Sequence, residues 1–293
     1  MTIDRPCEAS PIKSRATKAE MEARAVFLID YARANHPVTV RQLFYAATVA
    51  AVPGIDKSEA GYSRVQVQVL KLRQSGRLPY HWIADGTRWM IAPETFDSWE
   101  EALRSTARTY RKSLWSDAEY KVEIWLEKDA LAGVLHPVVD AYDIALAPTR
   151  GYTSESFAYS AVAGLRGGDR GLWVYALYDC DRSGQDAANS LKEKVLRFGE
   201  AYDVPVVFEQ LGLSPEQVVA WDLPTRAPKR ETAADRRWPY VFAAELDAIP
   251  PDTLRTMVTE AIENHLPRQE LEHLKRVEAE ERRTLREFIG GWQ

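Results

Sequence analysis

The chain has 293 residues, of which 45% are apolar and 28% charged. That is globular composition, enough to bury one large domain or two ordinary ones. No run of about 18 apolar residues occurs, so no membrane-spanning helix is expected. The amino-terminal MTIDRPCEASPIKSRATKAE lacks the apolar core of a secretion signal, which predicts a cytoplasmic protein. The two cysteines, Cys7 and Cys180, and the five scattered histidines fit neither a disulfide framework nor zinc-ligand spacing. Net charge is −5, unevenly spread: residues 1–120 carry 17 Lys+Arg against 14 Asp+Glu, and the remainder 21 against 29. A mildly basic front and an acidic back suit a protein that touches phosphate with one part and gathers cations with the other. Uneven surface charge also arises without function.

Residues 1–16 are polar and aperiodic, with Pro6 and Pro11, and predict a flexible lead. Ala19 to Asn35 predicts an amphipathic helix with Val26, Ile29 and Ala32 or Arg33 on successive turns, stopped by His36-Pro37. Thr39 is placed to cap a second helix, VRQLFYAATVAAV, ending near Pro53-Gly54. A third helix, from Glu59 to Gln74, presents Tyr62, Val65, Val69 and Leu70. The apolar pieces LPYHWIA and TRWMIA, split by Asp85-Gly86, predict a β-hairpin. Three helices and a hairpin over residues 17–93 match the element order of a winged-helix DNA-binding domain, and equally that of any small α+β unit.

Residues 94–120 predict a charged helical connector. The pattern then alternates: apolar runs at 122–126, 143–147, 171–179 and 204–210 are separated by helical stretches at 128–141, 155–165 and 185–201. Continuous apolar strands alternating with helices predict an α/β domain over 121–251, with a mostly parallel, Rossmann-like sheet and ligands beyond the carboxyl ends of its strands. A polar loop follows residue 224. Two helices, 252–264 and 268–288, make a carboxyl-terminal extension over 252–293. The EAEERR run in the last is either a solvated face or a helix contact.

Glu127 directly follows the strand VEIWL, and Asp179 and Asp181 directly follow GLWVYALY, ahead of Gly184 and a helix. Strand-end placement gathers the three carboxylates on one rim, and acids two residues apart point the same way. Such a group is unfavourable without a cation, and oxygen donors suit Mg²⁺, with Mn²⁺ an alternative. Acids at strand ends also cap following helices. Gly184 would allow a tight turn there. A further acidic pair, Glu245 and Asp247 in VFAAELDAIP, either adds a metal ligand or caps the helix that begins near Asp252.

LEKDAL at 126–131 and YDCDRSGQD at 178–186 resemble the Toprim signature, a Glu after the first strand and D-x-D-x-x-G after a later one. The resemblance covers about residues 120–210. It implies metal-dependent phosphodiester chemistry, with Asp179 and Asp181 as ligands and Glu127 as ligand or acid/base. In the second helix, Arg41 and Tyr45 lie one turn apart on one face. Taken alone, Phe44 and Tyr45 are core aromatics. VTVRQLFYAATV, however, resembles the catalytic segment of the topoisomerase VI A subunit and its meiotic double-strand-break relatives, in which an Arg precedes a nucleophilic Tyr just before a Toprim domain.

That resemblance implies a homodimer that cleaves double-stranded DNA. Tyr45 attacks the phosphodiester, and Arg41 favours the phenolate or holds the phosphate. In the family the tyrosine and the metal come from different subunits. Arg41, Arg64, Lys71, Arg73 and Arg88 are the expected nucleic-acid contacts, and association with the nucleoid follows. No ATP-binding motif occurs, so ATP-driven strand passage would need a separate ATPase subunit. The chain is shorter than a typical A subunit, which also suits a small stand-alone relative. Two other readings fit the same residues: a Toprim nuclease using metal-activated water with Tyr45 structural, and a non-catalytic DNA-binding module whose acids hold structural metal.

Overall fold

A computed structural model describes residues 17–84, 93–266 and 268–290. The predicted lead at 1–16, Arg88, and the Asp85-Gly86 turn with TRWMIA lie outside the described residues. Three helices open the structure: α1 (Lys18–Asn35), α2 (Val40–Val49) and α3 (Glu59–Gln74). Each starts where a hydroxyl caps a free backbone N–H. Thr17 accepts from Glu20, Thr39 from Gln42 and Ser58 from Gly61. Such caps stabilise a helix by about 1 kcal/mol each.

The buried face of α1 is Arg24, Ala25, Leu28, Ile29 and Ala32, while Val26 is exposed. On α3 it is Gly61, Val65, Val69 and Leu72, with Leu70 exposed. Ile29 and Ala32 on α1 and Val65 and Val69 on α3 are buried as predicted, while Val26 and Leu70 are not. The first arm of the expected hairpin is not a strand. Pro79 precedes a 3₁₀ turn, Tyr80–Trp82, and Trp82 stacks on His36 at 5.4 Å. The segment pairs backwards instead: Ala84 donates to the Val38 carbonyl at 2.8 Å and Val38 to Trp82 at 3.0 Å, in an isolated parallel bridge between Val38 and Ile83.

Only Trp99–Thr109 of the connector is helical (α4). The α/β part then runs β1 (Tyr120–Leu126), α5 (Asp129–Tyr142), β2 (Ala145–Pro148), α6 (Glu155–Ala163), β3 (Gly171–Leu177), α7 (Arg182–Tyr202), β4 (Val206–Gly212) and a short α8 (Pro215–Ala220). All four strands are parallel, in the order β2-β1-β3-β4. The chain is therefore α/β around a parallel sheet, as the alternating pattern predicts. Period-two alternation divides the core. Val122, Ile124 and Leu126 of β1 pack with α5, α9 (Pro251–Glu263) and the three opening helices, whereas Trp125 faces α6, α7 and β4. Burying each such aliphatic side chain stabilises the fold by roughly 1.5–3 kcal/mol.

The final helix, α10 (Arg268–Gly290), makes contact with the connector through its charged run. Glu281 accepts from Tyr110 and from Lys112 at 2.7 and 2.8 Å, and Glu278 accepts the Lys112 N–H at 2.9 Å. Among the described residues, no helix is long and apolar enough to cross a membrane.

Because β1 and β3 run in register to Leu126 and Leu177, the residues after them emerge side by side. The turn from β3 into α7 depends on Gly184. A Cβ at Gly184 would lie 2.4 Å from the Asp179 carbonyl oxygen and 3.1 Å from the Asp179 nitrogen. Its role is to admit neighbouring backbone, and it lies within the first turn of α7. Gly184→Ala should therefore lower the unfolding free energy by about 1–3 kcal/mol, read by urea denaturation. An unchanged midpoint would contradict this account of the turn.

Candidate functional site

At the carboxyl edge of the sheet, Glu127 and Asp179 are joined directly: the Asp179 N–H donates to Glu127 Oε2 at 2.9 Å. Cys180, fully buried between the two aspartates, turns into the core. Asp179 Oδ1 accepts the Leu246 N–H at 2.8 Å, and Asp179 Oδ2 faces the Lys128 ammonium at 3.1 Å. Asp181 is the cap of α7, accepting the Gly184 N–H at 2.8 Å, and its other oxygen pairs with Arg226 at 2.6 Å. The helix-capping role open to these acids therefore falls to Asp181.

Glu245 and Asp247 belong to the same edge. Neither caps α9, whose amino terminus has no side-chain cap. Lys128 reaches Glu245 at 3.2 Å and Asp247 at 3.1 Å as well as Asp179. One ammonium thus serves three carboxylates from two separate stretches of chain. Burial disfavours its charge, yet Asp247, Asp179 and Glu245 together hold it above the ordinary lysine range.

Helix α2 docks on these carboxylates. The Thr39 hydroxyl donates to Asp247 at 2.8 Å, Gln42 to the Ile249 carbonyl at 3.3 Å, and Arg41 pairs with Glu245 at 3.2 Å. The Arg41 guanidinium also lies over the Tyr62 ring, 4.3 Å from its centre. Tyr45, one turn on, is 7% exposed. It lines a cleft of about 380 Å³ between α1, α2 and residues 221–224 and 247–250, with Phe27, Tyr31, Trp221 and Asp247. Burial and then the charge of Glu245 push its hydroxyl well above the usual phenol range, against the pull of Arg41 and Lys128. Tyr45 accordingly shares the electrostatic environment of Glu245, Asp247 and Lys128, and Lys128 in turn touches Asp179.

The acids are short of positive charge. Burial raises Asp179 to about 7 despite Lys128, with Glu127 adding to the rise. Glu127 is raised by burial too, partly offset by the Asp179 N–H and Lys128. Glu245 moves the other way: burial raises it, but Lys128 and Arg41 outweigh burial. A donor set made only of carboxylate oxygens, two of them held above their ordinary range, fits a hard divalent cation such as Mg²⁺ or Mn²⁺. Among the described residues no group of three or more His, Cys, Asp or Glu side chains is arranged to hold a metal as it stands. Asp179 is committed to Lys128 and Leu246, and Asp181 to Gly184 and Arg226.

The expected nucleic-acid contacts are not gathered together. Arg41 is drawn into the acidic edge. Arg64 holds the Gly54 carbonyl at 2.7 Å and Asp56 at 3.3 Å. Lys71 is exposed on α3. Arg73 lies over the Tyr80 ring at 4.4 Å, with its buried Nε unpartnered. Sequence reasoning missed Lys128 and Arg226. Lys128 directly follows Glu127 in LEKDAL, which was the available signal, whereas nothing near Arg226 pointed to Asp181. Comparison with known protein families finds no matching family model, and no curated protein matches the chain.

Removing one partner from a buried charge network leaves the others uncompensated. Lys128→Met should cost about 3–5 kcal/mol of folding stability near pH 8. A carboxyl raised in the folded state binds its proton there more tightly than in the unfolded chain. Stability is therefore lost as pH rises from about 4 to about 7, the window for Asp179. Without Lys128 that window moves higher, so the deficit should shrink on acidification to about pH 5.5. Urea denaturation at the two pH values checks this. A deficit independent of pH would contradict the assigned network.

Proposed function

We propose that this chain is a metal-dependent DNA-cleaving protein resembling the A subunit of a type IIB topoisomerase. In this reading α1–α3 serve as its winged-helix part and the parallel sheet as its Toprim part. The observation that carries the reading is that Tyr45 and Arg41 lie beside Glu245 and Asp247, with Arg41 on Glu245 at 3.2 Å, and that Lys128 joins those two acids to Asp179.

In the proposed reaction Tyr45 Oη attacks a backbone phosphorus. A phosphotyrosine bond to the 5′ end forms as the bond to the 3′ oxygen breaks. The phenol proton passes to a carboxylate of the acidic edge; burial raises Glu127 above the ordinary carboxylate range, which favours its holding a proton. The departing 3′ oxygen takes up a proton. Arg41, released from Glu245, would hold a phosphate oxygen or favour the phenolate. Glu127, Asp179 and Asp181 would hold Mg²⁺ or Mn²⁺, which when bound supplies positive charge to the phosphate oxygens. A homodimer would set one tyrosine against each strand of double-stranded DNA, in association with the nucleoid; the nearness of Tyr45 to the acidic edge of its own chain departs from the family's pairing of a tyrosine with the partner's metal. Coupling to ATP would require a separate ATPase subunit.

A second reading is favoured by one observation: burial and Glu245 keep the Tyr45 hydroxyl protonated. In it, the same acids support hydrolysis by water, as in a Toprim nuclease, and Tyr45 packs the cleft wall.

Supercoiled plasmid incubated with the protein and Mg²⁺ or Mn²⁺, then denatured with and without protease, separates the two. Transesterification predicts breaks carried on protein-linked ends, lost in Tyr45→Phe and in Asp179→Ala. Free ends that persist in Tyr45→Phe but vanish in Asp179→Ala would replace it with hydrolysis. Intact plasmid under either metal would overturn both.

A further inference from the structure

The acidic second part of the chain contains one basic stretch. Residues 224–244 hold Arg226, Lys229, Arg230, Arg236 and Arg237 against only Glu231 and Asp235. The stretch is built rather than loose. Cys180 and Ala244 exchange backbone hydrogen bonds at 2.9 and 3.0 Å, and Arg226 and Ala243 do so at 2.8 Å each, stitching it to the chain just beyond β3. Arg230 donates to the carbonyls of Trp238 and Tyr240 at 2.9 and 3.0 Å. Buried Trp238 donates to the Phe242 carbonyl at 2.8 Å. Asp235 accepts from Arg182 at 2.8 Å and from the Thr232 N–H and hydroxyl at 2.9 and 2.7 Å. Those bonds hold the Asp235 carboxyl at about 2, the Thr232 hydroxyl contributing most.

These bonds consume Arg226, Arg230 and Asp235 and leave three cations over against one acid, the exposed Glu231. Lys229, Arg236 and Arg237 are exposed, and their side chains make no hydrogen bond or ion pair among the described residues. Their placement is specific. Lys229 lines a narrow cleft with Asp181, Arg182 and Ser183 at the amino terminus of α7. Asp181 in turn is bonded to Arg226. Lys229 thus stands beside the acidic edge, and Arg236 and Arg237 directly follow Asp235, which lines the same cleft and holds Arg182, on a stretch hydrogen-bonded to the chain after β3.

We infer that the 224–244 stretch is a phosphate-backbone contact surface, with Lys229, Arg236 and Arg237 holding the nucleic-acid strand next to the strand-end acids. This rests on the DNA-cleaving reading above and deepens it by naming where the substrate backbone lies. Charge complementarity carries the assignment. A chain of net charge −5 repels a polyanion in general, so favourable contact concentrates where its cations are unpaired and fixed. Contacts of this kind to the phosphate backbone position a strand without reading its base sequence.

The test is binding of a short fluorescein-labelled DNA duplex by anisotropy, over a range of salt and without divalent cation, so that cleavage does not intervene. The Lys229→Gln/Arg236→Gln/Arg237→Gln variant is compared with wild type, alongside its thermal unfolding. The three side chains have no partners within the fold, so its unfolding midpoint should not move. Affinity should fall by more than about tenfold, and the slope of log affinity against log salt should flatten by about 2–3, one counterion per lost phosphate contact. Equal affinity and slope in the variant, with wild type binding, would overturn the surface and leave the cleavage reading standing. Wild type that neither binds duplex nor cuts plasmid would overturn both.

Discussion

The charge of Lys128 is what allows the carboxyl edge of the sheet to exist in this form. Asp179, Glu245 and Asp247 all lie within 3.2 Å of its ammonium. Carboxylates brought this close in a partly buried place repel one another and lose hydration, a cost of several kcal/mol per ion unless a counter-charge stands among them. The ammonium offsets that cost incompletely, since Asp179 still rises to about 7. The residual deficit of positive charge gives the edge its chemistry: it is an environment in which a divalent cation, or a cationic group carried by a partner, would be stabilised.

The same network positions the helical front of the molecule. Asp247 accepts from Thr39, and Glu245 pairs with Arg41. The capping residue of α2 and its first arginine are therefore fixed by carboxylates more than 200 positions away in sequence. Tyr45 follows from that docking, held in a cleft where burial and then Glu245 raise its hydroxyl against the pull of Arg41 and Lys128. Burial is the first obstacle to ionising the phenol, and Glu245 is the second. Neutralising or displacing that one carboxylate removes the largest charge opposing the phenolate and frees Arg41 at the same stroke.

Much of the fold was legible in the sequence because its determinants are local. The strand runs around Ile124 and Val174 are continuous and apolar, and hydroxyls at Thr39 and Ser154 mark helix starts. Glu127, Asp179 and Asp181 could be placed on one edge because strand ends in a parallel sheet coincide. What could not be read was long-range partnership. Nothing local links Lys128 to Asp247, or Arg226 to Asp181, and pairing decides whether an acid is a ligand, a cap or an ion-pair partner. Helix faces were legible only in part for a related reason. Val26 and Leu70 are apolar and correctly spaced, but neighbouring positions of α1 and α3 satisfy the same period, and the packing of α1, α2 and α3 on one another selected those instead. LPYHWIA looks like a strand by composition, yet Pro79 and the stacking of Trp82 on His36 turn it back toward Val38.

The claim that the acidic edge holds a divalent cation is tested most directly by thermal unfolding across a Mg²⁺ titration. A cation that binds the folded chain alone raises the midpoint in proportion to the logarithm of its concentration once the site fills. Wild type should show this rise, and Glu127→Gln and Asp179→Asn should not. A wild-type midpoint that does not respond to Mg²⁺ or Mn²⁺, or a rise that persists in both variants, would contradict the account.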